Sequence, residues 1–241
     1  MEIQAQIQVQ AADPAQRPAV EHEPTTNCPL CPRLVAFREA CRDEYPGWWN
    51  APVPAFGDPQ AWLGIVGLAP GKHGANRTGR PFTGDYAGDL LFATLAKFGL
   101  SNDRYEARID DGLQLSGAAI LNAVKCLPPQ NKPLPAEIAS CRQFYTAQLG
   151  AMPSVRVLLA LGRIAHETVL RNASARLADY PFGHGARHVL VDGRILFDSY
   201  HCSRYNTNTG RLTEAMFEQV FKAALAENDQ IKSRNSSRMS R

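Results

Sequence analysis

AWLGIVGLAPGKHGANRTGRPFTGD, residues 61–85, opens with eight residues that are apolar apart from two glycines, then turns into a polar loop studded with glycine. A short apolar run bounded by a glycine-rich turn reads as a strand buried on both faces of a sheet. Three further runs have the same character: GAAILNAV (117–124), VRVLLAL (155–161) and RILFDSY (194–200). The segments between them carry helical periodicity. One helix is expected from Asp89 as N-cap through Leu90, Leu91, Thr94, Leu95 and Phe98 to Gly99, and a second has Pro135 in its first turn. A third opens near Thr213 and spaces Met216, Phe217, Val220, Phe221 and Leu225 along one face. Strand and helix in alternation predict an α/β layered fold, and such folds bind ligands beyond the carboxyl ends of their strands. Loops 69–88, 122–131 and 199–212 are therefore the places to look for a site.

Length and composition allow one main domain: 241 residues, 44% apolar and 20% charged, with a net charge of +3. That charge suits an anionic partner without requiring one. There is no run of 18 apolar residues, and the N-terminus lacks the basic start and apolar centre of a signal peptide, so a soluble, cytoplasmic protein with no membrane partner is expected. Residues 1–26 and the basic segment 228–241 are too polar to bury much surface and are expected to be disordered tails around a domain at 27–227.

GLAPGKH, within the glycine-rich loop, has a passing likeness to a phosphate-binding P-loop. Its glycines are one residue too close, and His73 stands where a metal-binding hydroxyl is needed, which excludes nucleotide hydrolysis on that pattern. The loop does offer close backbone approach at Gly67, Gly71, Gly74, Gly79 and Gly84. Asn76, Arg77 and Arg80 add polar contacts, and Phe82 an aromatic plate. Such a set suits an extruded nucleobase sandwiched on a ring, with guanidinium groups on phosphate.

SYHCSRYNTNTGRLT, residues 199–213, follows the last strand and gathers His201, Arg204, Tyr205 and Arg211. An imidazole at a strand end can stabilise charge on a leaving group. Cys202 is adjacent, but neighbouring side chains of an extended segment point opposite ways, so it reads as a buried thiol instead of a nucleophile. Cys28 and Cys31 form a CxxC pair, and Cys126 and Cys141 lie near the ends of a strand and a helix. Four thiols from two parts of the chain suit a metal centre more than a redox dithiol, and their spacing leaves zinc and iron-sulfur both open. Cys41 reads as a core thiol.

Taken in order, GLAPGKHGANRTGRPFTGD, LNAVKCLPP and SYHCSRYNTNTGRLT resemble the uracil-DNA glycosylase superfamily, specifically its iron-sulfur branch, family 5. The resemblance spans about residues 28–226. It implies a three-layer fold with a central four-stranded parallel sheet, and a monomer that removes uracil, and in broader members hypoxanthine or xanthine, from double-stranded or single-stranded DNA. It also implies a 4Fe-4S cluster on Cys28, Cys31, Cys126 and Cys141. By the same resemblance Phe82 stacks on the extruded base, Asn122 reads uracil's edge and His201 supports the departing base. Where better-known relatives carry a water-positioning aspartate in this loop, the chain has Ala69, and the resemblance moves that role to Asp85. A second departure puts Cys202 where many relatives have proline. The alternative function is a non-catalytic iron-sulfur or zinc module that binds DNA or senses oxidation.

Overall fold

All four apolar runs become strands with every residue buried: β2 (Leu63–Gly67), β3 (Ala118–Asn122), β4 (Val157–Leu161) and β6 (Ile195–Ser199). They form the parallel centre of a six-stranded sheet, flanked by short antiparallel edge strands β1 (Phe56–Gly57) and β5 (Arg187–Val189), in the order β1-β3-β2-β4-β6-β5. The expected four-stranded parallel centre is thus present, with two edges added. The computed structural model describes residues 22–239, so residues 1–21 of the expected N-terminal tail lie outside the described residues.

Alternation along each strand divides the core. Leu63, Ile65, Ile120, Val157, Leu159 and Phe197 face one layer, where α3 (Tyr86–Lys97) brings Leu91 and Phe92 and α7 (Glu214–Met239) brings Phe217 and Phe221. Val66, Leu121, Leu158 and Leu196 face the other, where α4 (Pro135–Gly150) and α5 (Arg163–Asn172) bring Tyr145, Leu149, Val169 and Leu170. Both faces of the sheet are covered, which is why its strands read as unbroken apolar runs. The other α-helices among the described residues are α1 (Pro32–Glu44), α2 (Ala75–Thr78) and α6 (Arg204–Asn208).

Two boundaries differ from the sequence expectation. The helix assigned to Asp89 begins at Tyr86, because the Asp85 side chain accepts from Gly88 N at 3.1 Å and caps it four residues earlier. At the other end, α7 continues through residues 228–239, where a disordered tail was expected. Asn228 is buried, Ile231 packs against the core, and Glu227 pairs with Arg187 at 2.7 Å. A helix already docked through Phe217 and Phe221 extends without a new nucleation cost. Residues 22–26 are likewise tied to the domain: Glu23 accepts from Ala55 N at 2.7 Å.

β6 also carries a buried acid. Asp198 Oδ1 lies 2.8 Å from His166 Nδ1, Asp198 Oδ2 lies 3.2 Å from His188 Nε2, and His166 Nε2 donates to Tyr180 O at 2.9 Å. The three side chains are close enough to hold a cation. Both ring nitrogens of His166 are already committed, however, and the network serves to pin the 180–188 segment and β5 to the sheet.

Candidate active site

Parallel pairing sets Gly67 of β2 opposite Asn122 of β3, and Leu161 of β4 opposite Ser199 of β6. The loops leaving these strand ends surround one cleft of about 580 Å³ lined by Ala69, Gly71, Phe82, Asp85, Asn122 and His201, among others. Three separate stretches of chain thus meet where a doubly covered sheet places its ligands.

Each side chain is held for a local reason. Asn122 is buried at the end of β3, and its side chain lines the cleft. A Cβ on Gly67 would sit 2.5 Å from Asn122 Oδ1 and 3.0 Å from the Phe82 ring, so only glycine lets the amide and the ring converge. Phe82 adopts φ +55°, a conformation costly for a non-glycine residue, and its ring stacks toward His201 with centroids 6.0 Å apart. Asp85 uses Oδ1 to cap α3, while Oδ2 lies over the glycine loop; a Cβ on Gly74 would come within 2.5 Å of it. Burial pushes the Asp85 carboxyl above its ordinary value, a shift opposed by the amides of Gly88 and Ala87. His201 stands two residues past β6, where burial lowers its pKa to about 4 and keeps the imidazole neutral at physiological pH.

Cys202 does not join this group. It is fully buried, its thiol is pushed well up by burial, and Sγ donates to Ala87 O at 3.4 Å, fastening the His201 loop to α3. Arg204 reaches the cleft rim and lies over the Tyr86 ring, 5.4 Å from its centroid. Tyr205 is 72% exposed, Arg77 is exposed beside the glycine loop, and Arg211 stacks 4.6 Å from the centroid of Tyr200.

Two residues of the expected binding loop are elsewhere. Asn76 is buried and donates to Asn50 Oδ1 at 2.9 Å. Arg80 is buried with all three guanidinium nitrogens engaged: Nε on Thr83 Oγ1 at 2.7 Å, a bidentate pair to Asp111 at 2.8 and 2.6 Å, and Arg108 O at 2.7 Å. Neither lines the cleft, and both brace the loop from behind. Conversely, Lys72, His73, Tyr86, Asn131 and Ser203 line the cleft without having been singled out from sequence. Asn131 had a usable signal, because it follows the paired prolines of CLPPQN; Gln130 and Asn131 both turn to positive φ, 56° and 57°.

On the far side of Asn122, the cysteines come together. Cys28 and Cys31 before α1, Cys126 after β3 and Cys141 in α4 line one small cavity with Leu34, Val124 and Phe144. Burial pushes the Cys126 and Cys141 thiols up to about 12 and about 11, so as plain thiols they are poor nucleophiles, and a cationic centre would be needed to draw them into thiolates. Two buried basic residues flank them. Arg38 donates to Cys28 O at 3.2 Å and reaches Cys126 Sγ at 3.8 Å, and Lys125 is fully buried with its amide 3.3 Å from Cys141 Sγ.

Over residues 54–225 the chain matches the uracil DNA glycosylase superfamily. It is 50% identical over 206 residues to the type-5 uracil-DNA glycosylase of Thermus thermophilus, covering 83% of this chain and 93% of that protein. The type-5 uracil-DNA glycosylase of Pyrobaculum aerophilum is 42% identical over 205 residues, covering 83% and 89%. A type-4 uracil-DNA glycosylase of Sulfurisphaera tokodaii is more distant, at 29% identity over 72% of this chain and 74% of that protein. The chain therefore belongs to the uracil-DNA glycosylase superfamily, in its type-5 branch.

Arg80→Ala tests the bracing role. It strands Asp111 as a buried unpaired charge and should lower unfolding free energy in urea by about 3–5 kcal/mol. Unchanged stability with weakened DNA binding would return Arg80 to the binding surface.

Proposed function

We infer that the protein is a monofunctional DNA-repair glycosylase that hydrolyses the N-glycosyl bond of uracil in DNA. The reading rests on its type-5 relatives, and one observation carries it to the residues: Phe82, Asn122, Asp85 and His201 line a single cleft. Family membership sets aside the non-catalytic module.

Uracil turned out of the duplex would stack on Phe82, and Asn122 would offer one amide donor and one acceptor to its edge. Bond breaking leaves the electron pair on the base and positive charge on the sugar. His201, neutral because burial lowers its pKa, donates N–H to the oxygen where negative charge grows. Asp85, fixed by its cap, faces the sugar cation and orients the water that adds to it. A lysine nucleophile is not required. A cleft of about 580 Å³ with a glycine wall also leaves room for hypoxanthine and xanthine.

Double-stranded DNA would lie across the rim, with Arg77 and Arg211 toward phosphates and the exposed pair Arg204 and Tyr205 as the wedge that fills the vacated stack. The protein would act as a monomer in the compartment that holds the DNA. No helix among the described residues is long and apolar enough to cross a membrane.

Cys28, Cys31, Cys126 and Cys141 would hold a 4Fe-4S cluster. All four line one small cavity, which brings the CxxC pair and the two distant cysteines together. A cluster bound by four thiolates carries net negative charge, which the buried Arg38 beside Cys126 would offset. When bound, it supplies a crosslink joining the segment before α1, the loop after β3 and α4.

In single-turnover assays on uracil-containing duplex, His201→Ala should slow excision by about 10²–10³ and Asp85→Asn by about 10² or more, with binding retained. Hypoxanthine and xanthine belong in the same assay. A full-rate Asp85→Asn enzyme would remove that residue from the mechanism. The carboxylate is the working form of Asp85, so the rate should fall as pH drops through a carboxyl pKa raised above 3.8, with no step near 6.5 from His201. Replacing Arg204 and Tyr205 together by Ala should raise the Kd for duplex about tenfold or more, and unchanged affinity and excision would eliminate the wedge. Anaerobically prepared protein should be brown, and Cys126→Ala should lose the colour and lower Tm before it touches chemistry. Colourless protein containing one zinc would reject the cluster.

A further inference from the structure

The base-stacking ring depends on a side chain that never reaches the cleft. Phe82 sits at φ +55° immediately before the Gly84–Asp85 entry to α3, and its carbonyl is turned so far into the first helical turn that a Cβ on Gly88 would lie 1.7 Å from the oxygen. The hydroxyl of Tyr105 fills the same corner. It donates to Phe82 O at 3.3 Å and accepts from Gly84 N at 3.2 Å, bridging the peptides on either side of Thr83. Its ring comes from the excursion between α3 and β3 and is tilted on Phe92 with centroids 4.5 Å apart. Asp111, on the same excursion, holds Arg80 three residues ahead of Thr83.

We propose that Tyr105 is a positioning residue for excision: its hydroxyl holds Phe82 in the left-handed conformation and fixes the Gly84–Asp85 turn, so that stacking ring and carboxylate keep one relative placement. The proposal rests on the roles given above to Phe82 and Asp85. One phenolic hydroxyl has a proton to give and lone pairs to accept with, which is what a carbonyl and an amide two residues apart require. Burial raises the phenol pKa to about 12, so the proton stays available wherever the enzyme works. The other hydroxyls at this turn are engaged elsewhere, Thr83 Oγ1 with Arg80 and Pro81 O and Thr78 Oγ1 with Thr83 O, leaving Tyr105 to bridge Phe82 O and Gly84 N.

Tyr105→Phe keeps the ring on Phe92 and removes only the bridge. Single-turnover excision of uracil should fall by about ten- to a hundredfold, the scale expected when reacting groups shift by an ångström. Affinity for uncleaved duplex should stay within about twofold, since Tyr105 does not line the cleft. Hydrogen exchange at the Gly84 amide should accelerate, a readout that needs no catalysis and no measurement of stability. A lowered Tm with full single-turnover rate per folded molecule would make Tyr105 merely structural and overturn the proposal, as would an unchanged Gly84 exchange rate. Phe82→Ala and Asp85→Asn run alongside: if both are slow and Tyr105→Phe is fast, only this proposal fails. If all three are fast, the assignment of the cleft fails first.

Discussion

Parallel pairing of β2 with β3 places Gly67 against Asn122, and the absence of a side chain at that one position allows an amide and an aromatic ring to share a corner. Most of the site follows from this close approach. The ring can reach the amide only if the chain doubles back after the glycine loop, which forces Phe82 into the left-handed region and brings Asp85 directly to the head of α3. Strain at Phe82, of order 1–3 kcal/mol, persists because the surroundings over-determine it: Arg80 with Asp111 on one side, Tyr105 on the other, and the bare Cα of Gly88 beneath. Strain of this kind is affordable in a loop braced at three points. It would relax in an ordinary surface turn.

Burial then sets the chemistry. Asp85 and His201 are both shielded from water, and the shift goes in opposite directions for the two charge types: the carboxyl is raised and the imidazole is lowered. Both groups are thereby moved toward their neutral forms. For His201 this suits the proposed role of donor to a developing anion. For Asp85 it would defeat the purpose, and the helix cap counteracts it, since the amide of Gly88 binds the charged form.

The strands were legible because a parallel sheet covered on both faces buries every residue, and uninterrupted apolar runs leave no ambiguity of face. Asp89 looked like the cap of α3 because the apolar periodicity begins at Leu90; the true cap, Asp85, lies one turn earlier, where Ala87 and Gly88 are buried without contributing a strong apolar signal. Asn76 and Arg80 illustrate a deeper limit. In a glycine-rich loop, polar residues can face a ligand or brace the loop, and composition is the same in both cases. Only partners distant in sequence, Asn50 and Asp111, settle which. The polar end of α7 misled for the converse reason: a segment that could not fold alone is carried by the helix that precedes it.

Ala69 connects the two halves of the molecule. It lines the cleft, yet it also packs against the cluster formed by Leu34, Val124 and Cys141. A carboxylate at this position would stand between the reaction centre and the cysteine cavity, with one side facing apolar groups and thiols. If those thiols carry the charge of a bound cluster, an acid there would suffer both desolvation and like-charge repulsion. Alanine keeps that wall apolar and lets the loop after β3, which carries Asn122 at its start and Cys126 four residues on, pack directly behind the glycine loop. Moving the acid to Asp85 separates it from the thiols and gives it a helix N-terminus for support. Position 69 thus lies in the wall shared by the cysteine cavity and the cleft that holds Asp85, the carboxylate proposed for catalysis.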